Sequence, residues 1–168
     1  MPSDAVDTFI DQWTTQRPAL NLWPMALIGR LHRVGRLAST QVRAYFNTKG
    51  IEDWEFDVLA TLRRSGPPYT LTPKQLVTST MVGSSALTNR VDRLVLRKFV
   101  TREVDPTNRR RLLITLSPEG LELVDRVIEG HLATERQLLA GLEPGEQQQL
   151  NELLRKLLLS LGDILETA

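Results

Sequence analysis

The sequence predicts a mainly α-helical chain, an α+β winged helix-turn-helix with additional helices on both sides. Apolar residues repeat with the 3.6-residue period of amphipathic helices along most of the 168 residues. Two helical stretches are joined by a short connection that contains Gly83, which is the arrangement of a helix-turn-helix. From Val100 onward the apolar period changes towards two, which indicates a β-hairpin. The order helix, turn, helix and hairpin predicts the fold class.

The first fifty residues contain two predicted helices. Ser3 is placed to cap an amphipathic helix that carries Trp13 and that ends before Pro18. A longer helix is expected from about Met25 to Asn47. We expect residues 1–19 to form an extra N-terminal helix, and residues 20–50 to form a helical dimerisation domain together with residues 118–168.

Residues 51–117 are predicted to form the winged helix-turn-helix. A helix over about residues 53–64 is stopped by a Gly-Pro-Pro sequence. Thr72, Pro73 and Gln75 then occupy the cap, first and third positions of a short helix that ends near Ser79. A second helix capped by Ser84 follows directly after the glycine turn.

The predicted hairpin carries a basic loop, residues 105–110, at the tip of two strands. The whole stretch from Gly83 to Ser117 has eight basic and three acidic residues, a local charge of +5 in a chain of net charge +1. Such charge asymmetry favours a partner with negative charge on one face. Charge runs are also common on ordinary solvated surfaces. The order of the capped helices and the hairpin is therefore the stronger indication of DNA binding.

Two further helices are expected after Pro118 and after Pro144. The last one has leucines at alternating steps of four and three, the spacing of a helix-packing seam. The apolar surface is wide for a single subunit, and it predicts a homodimer built from the terminal helices. The seam comprises Leu150, Leu154, Leu157, Leu161 and Ile164.

Composition excludes several classes of protein. The chain has no cysteine, two histidines and no apolar run long enough to cross a membrane. There is also no glycine-rich phosphate loop and no nucleophile with a plausible histidine partner. We therefore expect a cytoplasmic protein that is not an enzyme and that uses no metal and no cofactor.

The second helix of the helix-turn-helix begins with short hydroxyl and amide side chains, which can reach base edges in the major groove. The arginines of the hairpin loop suit a narrow minor groove. The expected DNA-binding residues are Thr72, Lys74, Gln75, Ser84, Ser85, Thr88, Asn89, Arg93, Arg109, Arg110 and Arg111.

Several stretches, among them EFDVLATLRRSG, LTPKQLV and SSALTNRVDRLVLRKFVTREVDPTNRRRLLITLSPEG, resemble the MarR family of winged helix-turn-helix regulators. The chain departs from the family pattern at three positions. Asn108 replaces an aspartate that holds a wing arginine in the family, and Ser117 replaces a threonine. Lys98 stands where a left-handed glycine is usual, at a cost of about 1 kcal/mol.

The N-terminal helix and the segment NLWPMALIGRLHRVGRL are similar to the urate-responsive branch of that family, the regulators related to PecS and HucR. The resemblance implies a ligand site in which an anionic purine disturbs an Asp–Arg pair. The pair joins the helix over about residues 53–64 to the second helix of the helix-turn-helix. Each side chain also has a simpler interpretation as packing, capping, phosphate contact or solvated surface. The implied ligand-binding residues are Trp13, Asp57, Arg90 and Arg102.

The resemblance implies a transcriptional repressor that binds a pseudo-palindromic operator in double-stranded DNA as a homodimer and is released by urate or a related anionic purine. It would act on nucleoid DNA in a bacterial cytoplasm. One alternative is a MarR-type regulator that answers a different aromatic or phenolic acid, or that has no small-molecule ligand. A remote alternative is a protein-interaction module that does not bind DNA.

Overall fold

The computed structural model of the chain describes residues 2–80 and 87–164. Contacts divide the chain into two compact units, Met1–Val42 and Arg43–Ala168. The first unit holds α1 (Ala5–Gln16) and most of α2 (Trp23–Thr48), and the rest of the described chain belongs to the second. The predicted division into an N-terminal helix, a dimerisation domain and a DNA-binding domain stays a prediction.

In the first unit, α1 is capped by Asp4 and not by Ser3 as the sequence suggested. Oδ1 of Asp4 accepts hydrogen bonds from the backbone N–H groups of Val6 at 2.7 Å and Asp7 at 3.0 Å. Arg30 of α2 donates from Nε to Asp4 Oδ2 at 2.7 Å and from Nη2 to Asp7. The capping carboxylate is therefore also the anchor of α1 on α2, a role that a serine hydroxyl cannot fill.

In the second unit, the helices and the hairpin follow one another in the predicted order. The predicted bounds of α3 and the predicted end of α4 are confirmed, and Thr72 and Gln75 form the predicted reciprocal cap around Pro73. The elements are α3 (Asp53–Arg64), β1 (Thr70–Leu71), α4 (Pro73–Ser79), α5 (Leu87–Leu96), β2 (Val100–Asp105), β3 (Asn108–Leu116), α6 (Pro118–Leu138) and α7 (Pro144–Ser160).

The three strands form one antiparallel sheet in the order β1-β3-β2. The hairpin register runs from Val100 opposite Leu116 to Val104 opposite Leu112, and it shifts at Asp105. The sequence did not predict β1, because two residues are too short to show a period. The fold class is confirmed as mainly helical with a small winged sheet. Its core is centred on Phe46, Leu59, Leu62, Leu76, Leu94, Ile114 and Val127.

The corner between the wing and α6 is tightly built. Lys98 has a φ of +61°, the left-handed conformation expected at the end of α5. Ser117 Oγ donates to the carbonyl oxygen of Lys98 at 2.7 Å and accepts from the N–H of Gly120 at 3.0 Å. A Cβ atom at Gly120 would collide with the carbonyl oxygen of Phe99. The Ser117 hydroxyl thus caps α6 and also ties its start to the end of the preceding helix.

No residue of α7 is buried within the single subunit. The helix ends at Ser160, so the last two residues of the predicted leucine seam, Leu161 and Ile164, lie beyond it. The remaining apolar side chains still form an exposed face. Exposed leucines of α7 are Leu150, Leu153, Leu157, Leu158 and Leu159.

Candidate nucleic-acid interface

The first helix of the helix-turn-helix, α4, uses two of its predicted DNA-binding residues in its own cap. Gln75 Oε1 accepts from the backbone N–H of Thr72 at 2.9 Å and from its hydroxyl at 2.8 Å. Lys74 between them is exposed. The side chains of Thr72 and Gln75 therefore have partners within the protein, whereas the ammonium group of Lys74 is presented to solvent.

The second helix, α5, has one buried and one exposed side. Leu87, Val91 and Leu94 point into the core, and Thr88 and Asn89 are exposed. The exposed pair lies at the start of the helix in the described residues, where short polar side chains suit contact with base edges. Ser84 and Ser85, also expected to contact DNA, lie outside the described residues.

Arg93 was expected to contact DNA, and its side chain is bound by Glu52 and Trp54 at the start of α3. Its Nη2 atom lies 2.5 Å from Glu52 Oε1, and its guanidinium stacks 4.8 Å from the centre of the Trp54 ring. Trp54 Nε1 in turn donates to Glu52 Oε2 at 2.7 Å. These hydrogen bonds, first from Arg93 and then from Trp54, hold the pKa of Glu52 below its usual range.

Arg97, which follows directly after the end of α5, is bound more deeply. Its Nη1 atom donates to both carboxylate oxygens of Glu55, at 2.8 and 2.7 Å, and its Nη2 atom donates to the carbonyl oxygen of Gly50 at 2.8 Å. Glu55 is completely buried. Sequence reasoning missed Glu52, Trp54 and Glu55 as partners of α5. The available signal was the spacing of the arginines at 90, 93 and 97, which places them on one helix face.

The residues implied as a ligand site fall into both units. Trp13 lies on α1 in the first unit, and its side chain is 46% exposed. In the second unit the guanidinium of Arg90 lies 5.5 Å from the centre of the Trp54 ring. Asp57 follows on the same helix as Trp54, and its Oδ2 atom is buried. Arg102 of β2 donates to Asp92 of α5 at 2.5 Å, which links the wing to α5.

The tip of the wing is organised by two short polar side chains. Asp105 Oδ1 accepts from the hydroxyl of Thr107 at 2.6 Å and from its N–H at 2.8 Å, and these bonds lower the pKa of Asp105. Asn108 Oδ1 accepts from the N–H of Arg110 at 3.1 Å. The amide of Asn108 therefore keeps a turn contact that an aspartate could also make. Arg109 and Arg110 are exposed, and Arg111 Nη1 lies 4.0 Å from Asp105.

The described residues contain no group of three or more side chains arranged to hold a metal ion. Among the helices that the structure describes, none has both the length and the apolar character needed to cross a membrane.

Comparison with known proteins places this geometry in a family. The MarR family model matches residues 49–111, which span α3 to the wing. The HTH-type transcriptional regulator PecS of Dickeya dadantii is 38% identical over 149 residues, which cover 89% of this chain and 90% of that protein. A mutant MarR of E. coli in complex with operator DNA superimposes with a TM-score of 0.71 at 25% identity, covering 93% of this chain and 99% of the other.

A second similar structure is that of BpsR of Bordetella bronchiseptica, whose DNA binding is regulated by 6-hydroxynicotinic acid. It has a TM-score of 0.69 and 26% identity and covers 77% of this chain and 90% of the other. The relatives are DNA-binding regulators and not enzymes. The chain therefore belongs to the MarR family of winged-helix transcriptional regulators, on the branch of PecS.

Proposed function

We propose that this DNA-binding regulator acts as a repressor on nucleoid DNA in the cytoplasm, binding a pseudo-palindromic operator as a homodimer. The observation that carries the proposal is the exposed start of α5, with Thr88 and Asn89, combined with the exposed arginines of the wing. The helix supplies side chains for base edges, and Arg109 and Arg110 supply charge for the minor groove. In a dimer, two such helices about 34 Å apart would contact successive major grooves.

The second copy is proposed from the apolar surface of the terminal helices. The exposed leucines of α7 form an apolar face whose hydration is unfavourable. A two-fold symmetric partner buries the same face on both subunits, and it also matches the symmetry of a pseudo-palindromic operator. Analytical ultracentrifugation measures this directly. A chain that stays monomeric at micromolar concentration would contradict the dimer.

DNA binding is tested with the upstream intergenic region of the chain's own gene. Binding constants are measured at several salt concentrations, with an unrelated duplex of equal length as control. We expect preference for the upstream region and a steep negative slope of log K against log salt. A slope near zero, or equal binding to both duplexes, would contradict an operator-binding function and would favour a protein-interaction module.

We also propose that urate or a related anionic purine releases the operator. The guanidinium of Arg90 lies over the Trp54 ring, so a cation stands beside an aromatic face. Asp57, on α3 with Trp54, supplies a carboxylate. A purine anion entering beside them is attracted by Arg90 and repelled by Asp57, so α5 moves with the arginine. The family resemblance adds Arg102 as a stabiliser of the displaced helix, and it implies Trp13 as a flat aromatic donor. A tenfold release needs about 1.4 kcal/mol of differential affinity.

The ligand proposal is tested by titrating urate while following operator release and tryptophan fluorescence. Trp13→Phe, Asp57→Asn, Arg90→Gln and Arg102→Gln are expected to need more urate for release than the wild type. Arg136→Gln is a charge-matched control on α6, where the Arg136 side chain donates to Leu132. If urate releases the wild type and the four variants at equal concentrations, the proposed residues are wrong.

A second effector class is supported by the BpsR relative, whose DNA binding is regulated by 6-hydroxynicotinic acid. That compound is also a planar anionic heterocycle, and a cation beside an aromatic ring suits it equally well. The same release experiment with 6-hydroxynicotinic acid and salicylic acid separates the candidates. Release by one of these acids and not by urate would favour a regulator of aromatic acids, and release by none would favour a regulator without a small-molecule effector.

A further inference from the structure

Arg93 lies on α5 and Arg97 follows directly after the end of that helix. Residues at and before the start of α3 hold the two side chains with very different strength. Arg97 makes three hydrogen bonds, two of them to a carboxylate that is completely buried. Glu55 also accepts from the backbone N–H of Glu52 at 2.8 Å. If Arg97 left, a buried charge would lose its cation, so this contact is fixed.

The contact of Arg93 is of the opposite kind. The side chains of Arg93 and Glu52 are 55% and 50% exposed, and a single short contact of 2.5 Å joins them. Ion pairs between such exposed groups contribute little to stability, because water solvates both partners well when the pair opens. Arg93 is therefore free to exchange Glu52 for another anion without a large loss in folding.

The position of Arg93 indicates which anion that would be. Arg93 follows the exposed Asn89 by four residues, so both side chains lie on the same side of α5. A guanidinium binds a carboxylate and a phosphate with the same charge-assisted geometry. Trp54 stacks against the guanidinium of Arg93 and can keep its plane oriented during an exchange.

We propose that the Glu52 carboxylate binds the guanidinium of Arg93 in the free protein, and that a DNA phosphate binds it in the complex. DNA must therefore displace Glu52 to gain this contact. Glu52 is thus an internal competitor that lowers DNA affinity. The inference rests on the proposed DNA-binding surface. The lowered pKa of Glu52 agrees with this pairing, because its largest cause is the hydrogen bond from Arg93.

Glu52→Gln tests the competition with little disturbance, since a glutamine oxygen still accepts the hydrogen bond from Trp54 Nε1. Asp53→Asn is the matched control. It removes the same charge from the neighbouring residue. The carboxylate of Asp53 pairs with Arg43 of α2 at 3.3 Å and not with an arginine of α5. Arg93→Gln and the double variant Glu52→Gln/Arg93→Gln complete the set. Thermal unfolding establishes that all four proteins are folded.

Binding to the upstream duplex and to an unrelated duplex is measured for each protein from about 50 to about 300 mM salt. Glu52→Gln should bind both duplexes about two- to fivefold more tightly than wild type, and more tightly than Asp53→Asn. Arg93→Gln should bind more weakly, with a salt slope smaller in magnitude by about 0.9, the loss of one phosphate contact. The double variant should equal Arg93→Gln, because Glu52 acts only through Arg93.

Three results would overturn the inference. Glu52→Gln could bind no better than Asp53→Asn, Arg93→Gln could keep the wild-type salt slope, or Glu52→Gln could still raise affinity in the absence of Arg93. In each case the wild type still binds DNA with a steep salt dependence, so the proposed function stands without the competitor. If the wild type itself shows no salt-dependent binding, the function and the inference fail together.

Discussion

The carboxylate of Glu55 on α3 and the guanidinium of Arg97, directly after α5, form a salt bridge between residues 42 positions apart in sequence, with N–O distances of 2.8 and 2.7 Å. Glu55 is completely buried, whereas the side chain of Arg97 is 38% exposed. Removal of Arg97 leaves a buried charge without its cation. We expect Arg97→Gln to lower the free energy of unfolding by about 2 to 4 kcal/mol, measured by urea denaturation.

Arg93→Gln is the natural control for that prediction, because it removes the same charge one turn earlier on α5. Its partner Glu52 is half exposed and is solvated when the pair opens. The expected loss is therefore below about 1 kcal/mol. Equal losses for the two variants would show that burial of Glu55 does not set the strength of the bridge.

Lys98 occupies a left-handed backbone conformation, with a φ of +61°, between α5 and the wing. Glycine has no Cβ to strain there, so Lys98→Gly should raise the free energy of unfolding by about 1 kcal/mol. Lys98→Ala removes the same side chain but keeps the Cβ, and it should bring no gain. If alanine and glycine stabilise equally in urea denaturation, removal of the lysine charge and not backbone strain is responsible.

Gly120 lies in the first turn of α6 against the carbonyl oxygen of Phe99. A methyl group at this position meets backbone, which cannot rotate away as a side chain can. Gly120→Ala should therefore cost about 3 kcal/mol in unfolding free energy. Gly145→Ala, in the first turn of α7, is the control, because a Cβ there meets no atom within 4 Å. A neutral result at Gly120 would mean that the corner relaxes without strain.

Features governed by neighbours in sequence were predictable. The reciprocal cap of Thr72 and Gln75 depends on residues three apart, and it is found as expected. The left-handed conformation of Lys98 followed from the family pattern of a glycine at the end of the helix. The existence of the wing followed from the change of apolar period after Val100.

Partners distant in sequence were not predictable from a single chain. Helical spacing places Arg93 and Arg97 on one face, but it does not say that Glu52 and Glu55 lie opposite them. For that reason Arg93 was assigned to DNA alone. Likewise, Ser3 and Asp4 are both good caps, and the choice depends on Arg30 of the next helix, 26 residues away from Asp4.

That anchor of α1 makes a pH-dependent prediction. Hydrogen bonds lower the pKa values of Asp4 and Asp7 below their ordinary value of 3.8. At Asp4 the largest cause is the hydrogen bond from Arg30. At Asp7 the largest cause is the hydrogen bond from the backbone N–H of Asp4, followed by the one from Arg30. A lowered carboxyl pKa means that the folded state prefers the ionised form. The stabilisation is therefore complete above pH 3.8 and is lost as the pH falls through the lowered values.

We expect amide hydrogen exchange in α1, corrected for its intrinsic pH dependence, to show stronger protection in the wild type than in Arg30→Gln at neutral pH. The difference should vanish at low pH, because protonated Asp4 and Asp7 no longer bind the guanidinium as carboxylates. Arg36→Gln, a charge-matched change further along α2, should leave α1 protected at neutral pH. If Arg36→Gln lowers the exchange protection of α1 as much as Arg30→Gln does, the positive charge of α2 as a whole stabilises α1, and not the specific pairing of Arg30 with these two carboxylates.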